Sequence, residues 1–158
     1  MTTRLRQELK VSRPFPKPEM GVFVGLLLTA DALKAPIVRL LKDHGLTEPQ
    51  YNVLRILRGA GEPLPCLEVG SRMVARLPDI TRLVDRLVDA GLAARGRCDE
   101  DRRVVFVKLT RKGANLLTRL DGPVADLHSE LLGHLTRQEL KDLGALLDRA
   151  REKVARDA

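Results

Sequence analysis

The sequence predicts a mainly α-helical fold with one small β-hairpin, and three observations carry that expectation. Apolar residues recur at helical spacing along most of the 158-residue chain. A single stretch around residues 92–109 instead alternates with the two-residue period of strands. Aromatic residues are only 3% of the chain and Trp is absent, so Leu, Val and Ala must do the packing. With 44% apolar and 31% charged residues the composition is globular rather than disordered. The length suits one domain able to bury a core without staples.

Each element follows in order. Residues 1–18 contain VSRPFPKP, three prolines in five positions, and predict an extended arm. A helix is expected over 19–44, apolar nearly all round in its first half and ended by Gly45. Pro36 is expected to kink or break it. A helix that apolar needs partners on several sides. In TEPQYNVLRILRGAG, Thr47 and Gln50 have the spacing of a capping box, and Pro49 fits the first turn. Val53, Leu54 and Leu57 give that helix its buried face, and Gly59 and Gly61 are expected to stop it.

A short helix follows in CLEVGSRMV, and a third in DITRLVDRLVDAG, where Ile80, Leu83, Val84, Leu87 and Val88 share one side. LAARG and RRVVFVKL read as two strands around a turn. Thr110 is placed to cap a helix carrying Leu116, Leu117 and Leu120, with a bend expected at Pro123. Thr136 and Glu139 repeat the capping-box spacing before a last helix. Three short helices and a hairpin over 45–112 make a winged helix-turn-helix lobe. The flanking helices, 19–44 and 113–158, have more apolar surface than that lobe can cover. A symmetric homodimer would bury it, with residues 1–158 forming a single domain.

The net charge of +7 is localised. Residues 1–18 hold five Lys/Arg against one acid, and residues 72–112 hold eleven against six, whereas the remaining segments are each slightly acidic. A concentrated basic footprint points to a polyanion such as nucleic acid, with a solvated basic face as the alternative. On the third helix Arg82 and Arg86 lie one turn apart on the polar side, beside Thr81. Arg can pair with guanine edges by two bonds, and Thr can meet a thymine methyl or a phosphate. The alternative is a surface helix whose arginines pair with Asp79, Asp85 and Asp89. Arg72, Arg76, Arg95, Arg97, Lys108 and Arg111 are phosphate candidates by charge and reach.

The strings LTEPQYNVLRIL, ITRLVDRLVDAGLAAR and DEDRRVVFVKLTRKG resemble the MarR family of bacterial transcription regulators, over roughly residues 20–155. The resemblance implies a dimeric winged-helix protein that binds a double-stranded DNA operator, often a repressor released by a small-molecule effector. It implies that the helix matching 78–90 reads the major groove. The wing matching 96–103 would reach the minor groove, and the family's Asp-x-Arg pattern falls on Asp101 and Arg103, Asp101 holding Arg103 in one orientation. Arg97 and Arg102 beside them are further DNA-binding candidates. Asp99 and Glu100 receive no role. Two departures stand out: VARLPD lacks the Ser or Thr that often caps the reading helix, and Pro36 interrupts a helix usually continuous in the family.

Effectors of such regulators typically bind where the dimer helices meet the DNA-binding lobe, which makes Phe23, Leu27, Tyr51 and Leu54 candidate liners; the bland alternative is plain core. A thiol-based redox sensor is a second reading, resting on Cys66 at a helix start and Cys98 near the wing. A protein-interaction module is a third, opposed by the arginines of the reading face. His44, His128 and His134 have no metal-ligand spacing, and no phosphate loop or nucleophile elbow is present, so no enzyme, metal or cofactor is expected. The two cysteines form no disulfide framework. The longest apolar run, Met20–Ala30, is short of the ~20 residues of a membrane span. A cytoplasmic protein with no membrane partner is expected.

Overall fold

The computed structural model describes residues 3–10, 12–75, 78–97 and 105–156. The expectations for Arg76, Cys98, Asp99, Glu100, Asp101, Arg102 and Arg103 lie outside the described residues, and Arg97 is described by its backbone alone. The elements run α1 (Thr3–Glu8), α2 (Pro18–Asp43), α3 (Glu48–Ala60), β1 (Leu64–Pro65), α4 (Cys66–Ser71) and α5 (Ile80–Asp89), then β2 (Ala93–Arg97), β3 (Val105–Leu109), α6 (Arg111–Leu132) and α7 (Arg137–Arg156). The mainly helical fold with a small antiparallel sheet is thus as the sequence predicts. The chain forms two compact units, residues 1–121 and 122–158.

The N-terminal segment is not extended throughout, because Thr3–Glu8 is helical. The prolines forbid helix only where they stand, and Pro18 itself opens α2 in the first-turn position that tolerates it. Leu5 Cδ2 lies 3.6 Å from where a Cβ on Gly25 would stand, so α1 touches α2 at a glycine. Helix α2 passes Pro36 without a break, since one missing backbone bond does not end a helix of 26 residues. Only Gly21 and Leu41 are buried in it, while Phe23 and Leu27 are 62% and 57% exposed. Measured over the whole helix rather than the Met20–Ala30 run, α2 is long and apolar enough to cross a membrane, with a window of mean hydropathy 1.7.

Helix α3 begins at the predicted capping box: Gln50 N donates to Thr47 Oγ1 at 3.4 Å and Thr47 N donates to Gln50 Oε1 at 2.9 Å. Its end is set by Gly61 alone, in the left-handed region at φ 71°, whereas Gly59 lies inside the helix. Val53, Leu54 and Leu57 pack into the core with Val84, Leu87 and Val107. The sequence reading missed β1. Leu64 and Pro65 pair with Val107 and Phe106, giving a three-stranded antiparallel sheet in the order β1-β3-β2. Two residues that include a proline carry no alternation to detect, and Pro65 survives because this is an edge strand.

Within the first unit, α6 is tied to α3 by a two-pronged ion pair. Arg58 Nη1 and Nη2 donate to Asp121 Oδ2 and Oδ1 at 2.8 and 2.6 Å. The guanidinium hydrogen bonds hold the Asp121 carboxyl below its ordinary range. A depressed carboxylate contributes stability that is present above its unfolded value of about 3.9 and is lost as pH falls through the lower folded value. Acid denaturation of Asp121→Asn should therefore show a shallower loss of stability below about pH 4 than the parent chain. Equal slopes in urea titrations at descending pH would show that the pair contributes nothing to folding.

In the second unit, Glu139 N donates to Thr136 Oγ1 at 3.2 Å and Thr136 N to Glu139 Oε2 at 2.7 Å, completing the predicted box at the start of α7. The apolar side of α7 is not buried in the isolated chain: Leu140, Leu143 and Leu146 are all exposed. Pro123 lies within α6, which is continuous through it.

Candidate nucleic-acid interface

Helix α5 is short, and its ten residues would be marginal alone, so its placement depends on what grips it. Leu83, Val84 and Leu87 form the buried stripe. Thr81, Arg82 and Arg86 stand on the exposed surface, with 77% of the Arg82 side chain open to solvent. The missing Ser or Thr cap is supplied by Asp79, whose carboxylate accepts from Arg82 N at 2.9 Å. Asp serves as well as Ser in that position and adds a favourable charge at the helix start.

Of the three acids, only Asp79 pairs with an arginine of this exposed face among the described residues. Arg82 Nε is 3.8 Å from Asp79 Oδ2, a long contact on the surface. Asp85 is engaged by Arg95 from the sheet, at 2.5 Å. Arg86 has no hydrogen bond or ion pair among the described residues. Of the phosphate candidates, Lys108 and Arg111 are exposed, while Arg72 is paired with Glu68 one turn back on α4.

The far end of α5 is held by LTRKG, residues 109–113. Thr110 Oγ1 donates to Gly91 O at 2.8 Å and accepts from Gly113 N at 3.1 Å. Lys112 Nζ donates to Ala90 O at 2.7 Å, placing a cation on the C-terminal carbonyls of α5. Gly91 takes the left-handed conformation, φ 69°, that lets the chain leave the helix. Gly113 packs so closely that a Cβ there would stand 2.2 Å from Leu92 O. The sequence showed this string as a motif, and no local pattern shows that it clamps a helix twenty residues earlier.

A cavity of about 330 Å³ opens between α2, α3 and the turn after α4. Of the four expected effector liners it includes Tyr51 only. Leu54 is fully buried core, and Phe23 and Leu27 lie on the exposed face of α2 rather than in the core or the cavity. Lys34, Asn52 and Val74 were missed as liners. Asn52 Oδ1 accepts from Val74 N at 3.0 Å, so the cavity wall is bonded to the turn that leads into α5. Lys34 Nζ meets Glu48 Oε2 at 2.6 Å, and that hydrogen bond raises the lysine pKa. Cys66 is a half-buried free thiol at the start of the six-residue α4.

Comparison with known proteins fits this geometry. The family model described as MarR family matches residues 46–105, the span from the turn before α3 to the first residue of β3. The crystal structure of a MarR transcription factor from Planctomyces limnophilus is 40% identical, covers 85% of this chain and 98% of its own, and superposes with a TM-score of 0.66. This chain belongs to the MarR family.

Other members place it among transcriptional regulators. The HTH-type transcriptional regulator MhqR of Bacillus subtilis is 30% identical over 109 residues, 69% of this chain and 74% of that protein. A MarR variant from Escherichia coli, solved in complex with operator DNA, is 29% identical with a TM-score of 0.73, covering 84% of this chain and 94% of its own. In this MarR-family chain α5 is the second helix of the helix-turn-helix, following α4 within the span the family model matches.

Proposed function

We infer that this chain is a cytoplasmic, homodimeric repressor that binds a pseudo-palindromic operator and releases it when a small molecule binds. The observation that carries the reading is α5: one stripe buried in the lobe, the opposite face presenting Thr81, Arg82 and an Arg86 with no partner among the described residues. Major-groove reading by two arginines one turn apart follows from their reach to guanine edges. Arg97, Asp101, Arg102 and Arg103 extend the contact into the minor groove through the wing, and Arg76 contributes a phosphate contact. The exposed apolar face of α2 and the exposed leucines of α7 supply the symmetric interface. That interface also accounts for the apolar length of α2 without a membrane.

The effector site in this reading is the cavity beside Tyr51. An occupant touching Asn52 and Val74 acts on the turn before α5, which is the route by which binding would relax the operator grip.

The test uses DNA duplexes enriched from a random library by the protein. Arg86→Ala should weaken the enriched duplex by about 10-fold and broaden its sequence preference, since a bidentate arginine contributes ~1–3 kcal/mol of discrimination. Lys108→Ala should weaken all duplexes alike and reduce the slope of log K against log salt by about 0.9. A protein that enriches no sequence, or whose DNA affinity ignores salt, overturns the reading.

A further inference from the structure

We propose that Arg95 is a positioning residue that fixes the rotation of α5 about its own axis, rather than a phosphate contact. The inference rests on the DNA-reading role of α5 and goes beyond it. Arg95 is in register with Val107 across the β2–β3 ladder, and Val107 is fully buried. Residues directly opposite in an antiparallel pair leave the sheet on the same side. Two residues before it, Ala93 shares that side and is buried as well. Arg95 therefore leaves the sheet on the same side as Val107 and Ala93 but at its rim, where the residue is exposed and 29% of its side chain is open.

At that rim the guanidinium holds two groups of α5. Its Nη2 donates to Thr81 O at 3.0 Å and its Nη1 meets Asp85 Oδ1 at 2.5 Å. Positions 81 and 85 are four apart, so they lie one above the other on a single stripe. A planar fork spanning one turn of a stripe pins both the height and the rotation of the helix, which one ammonium cannot do. Arg82 and Arg86 occupy the next stripe, about 100° round the helix. Pinning the first stripe therefore sets the direction of the second. The same bond removes an uncompensated acid from the reading helix, where a free Asp85 carboxylate would repel phosphates. Because Arg95 stands on β2, its bonds also join that strand to the reading helix. Thr81 keeps its hydroxyl for DNA, since only its carbonyl is used.

The two assignments of Arg95 predict opposite behaviour at Asp85. Affinities of Arg95→Gln, Asp85→Asn and the double variant would be measured on the enriched duplex and on a scrambled duplex, at two salt concentrations. Positioning predicts that each single change weakens the enriched duplex by about 10-fold and the scrambled one by less than about 2-fold, with the salt slope unchanged. The double variant should then be no weaker than the worse single, as for two halves of one interaction. Arg95→Lys keeps the charge but loses the fork, and should recover only part of the loss, which covers the case in which Arg95→Gln does not fold. The proposal is overturned if Arg95→Gln weakens both duplexes equally and lowers the salt slope by about 0.9, the signature of a phosphate contact. It is also overturned if Asp85→Asn binds the enriched duplex more tightly, or if Arg95→Lys matches the parent chain. Failure to enrich any duplex overturns the DNA-reading role itself, and this inference with it.

Discussion

Gly113→Ala will lower the melting temperature by roughly 5–15 °C, the equivalent of about 2–4 kcal/mol for a chain of this size. The added Cβ would lie 2.2 Å from Leu92 O and 2.8 Å from Leu109 Cδ1. The first atom belongs to the backbone and cannot rotate away, so the start of α6 must move off the end of α5. That movement also breaks the bonds of Thr110 and Lys112 to Gly91 O and Ala90 O, so DNA affinity should fall even below the melting transition. Gly59→Ala is the control. Gly59 lies in the last turn of α3 with nothing within 4 Å of its Cβ position, and alanine there should stabilise by about 0.5 kcal/mol. Differential scanning calorimetry of the two variants measures the contrast. A Gly113→Ala protein as stable as its parent would show that the clamp on α5 is slack.

The paired change Phe23→Asp and Leu27→Asp should yield monomers and reduce affinity for a full palindromic duplex by at least about 100-fold, because the second half-site would no longer be held at millimolar effective concentration. Both side chains lie on the open face of α2, so the fold of the isolated chain does not depend on them. In the proposed symmetric dimer the change removes four large apolar side chains from the interface. Each contributes on the order of 1.5–3 kcal/mol when buried. Sedimentation equilibrium with and without DNA reads the result. A parent chain that is monomeric at micromolar concentration and partitions into lipid vesicles would reassign α2 from dimer contact to membrane contact, which its length and hydropathy permit.

The lobe was legible because its signals are local. A capping box needs residues only three apart, and both predicted boxes formed, at Thr47 with Gln50 and at Thr136 with Glu139. The buried stripe of α5 repeats every turn, and Val107 alternates with an exposed Lys108, so helix and strand announced themselves by period. Failures fell where a local rule competes with context. Gly59 looked like a stop but sits within a helix, Pro36 marked a possible kink or break and α2 is not broken there, and β1 was too short to have a period. The Asp79 cap was missed because Ser or Thr was the expected residue, although Asp satisfies the same amide.

By itself, then, the sequence determined the element types, the buried stripes, the basic character of residues 72–112 and the family. All of these depend on residues within a turn or two of one another, or on composition. Tertiary structure alone decided which charges are free. Arg95 and Arg86 are indistinguishable in a list of basic residues, and both are exposed, yet one is tied to Thr81 O and Asp85 of α5 and the other has no partner among the described residues. The same holds for Asp85, Lys112 and Gly113, whose partners lie ten to twenty-two residues away. Distance along the chain carries no information about such contacts until the core has fixed where each element lies.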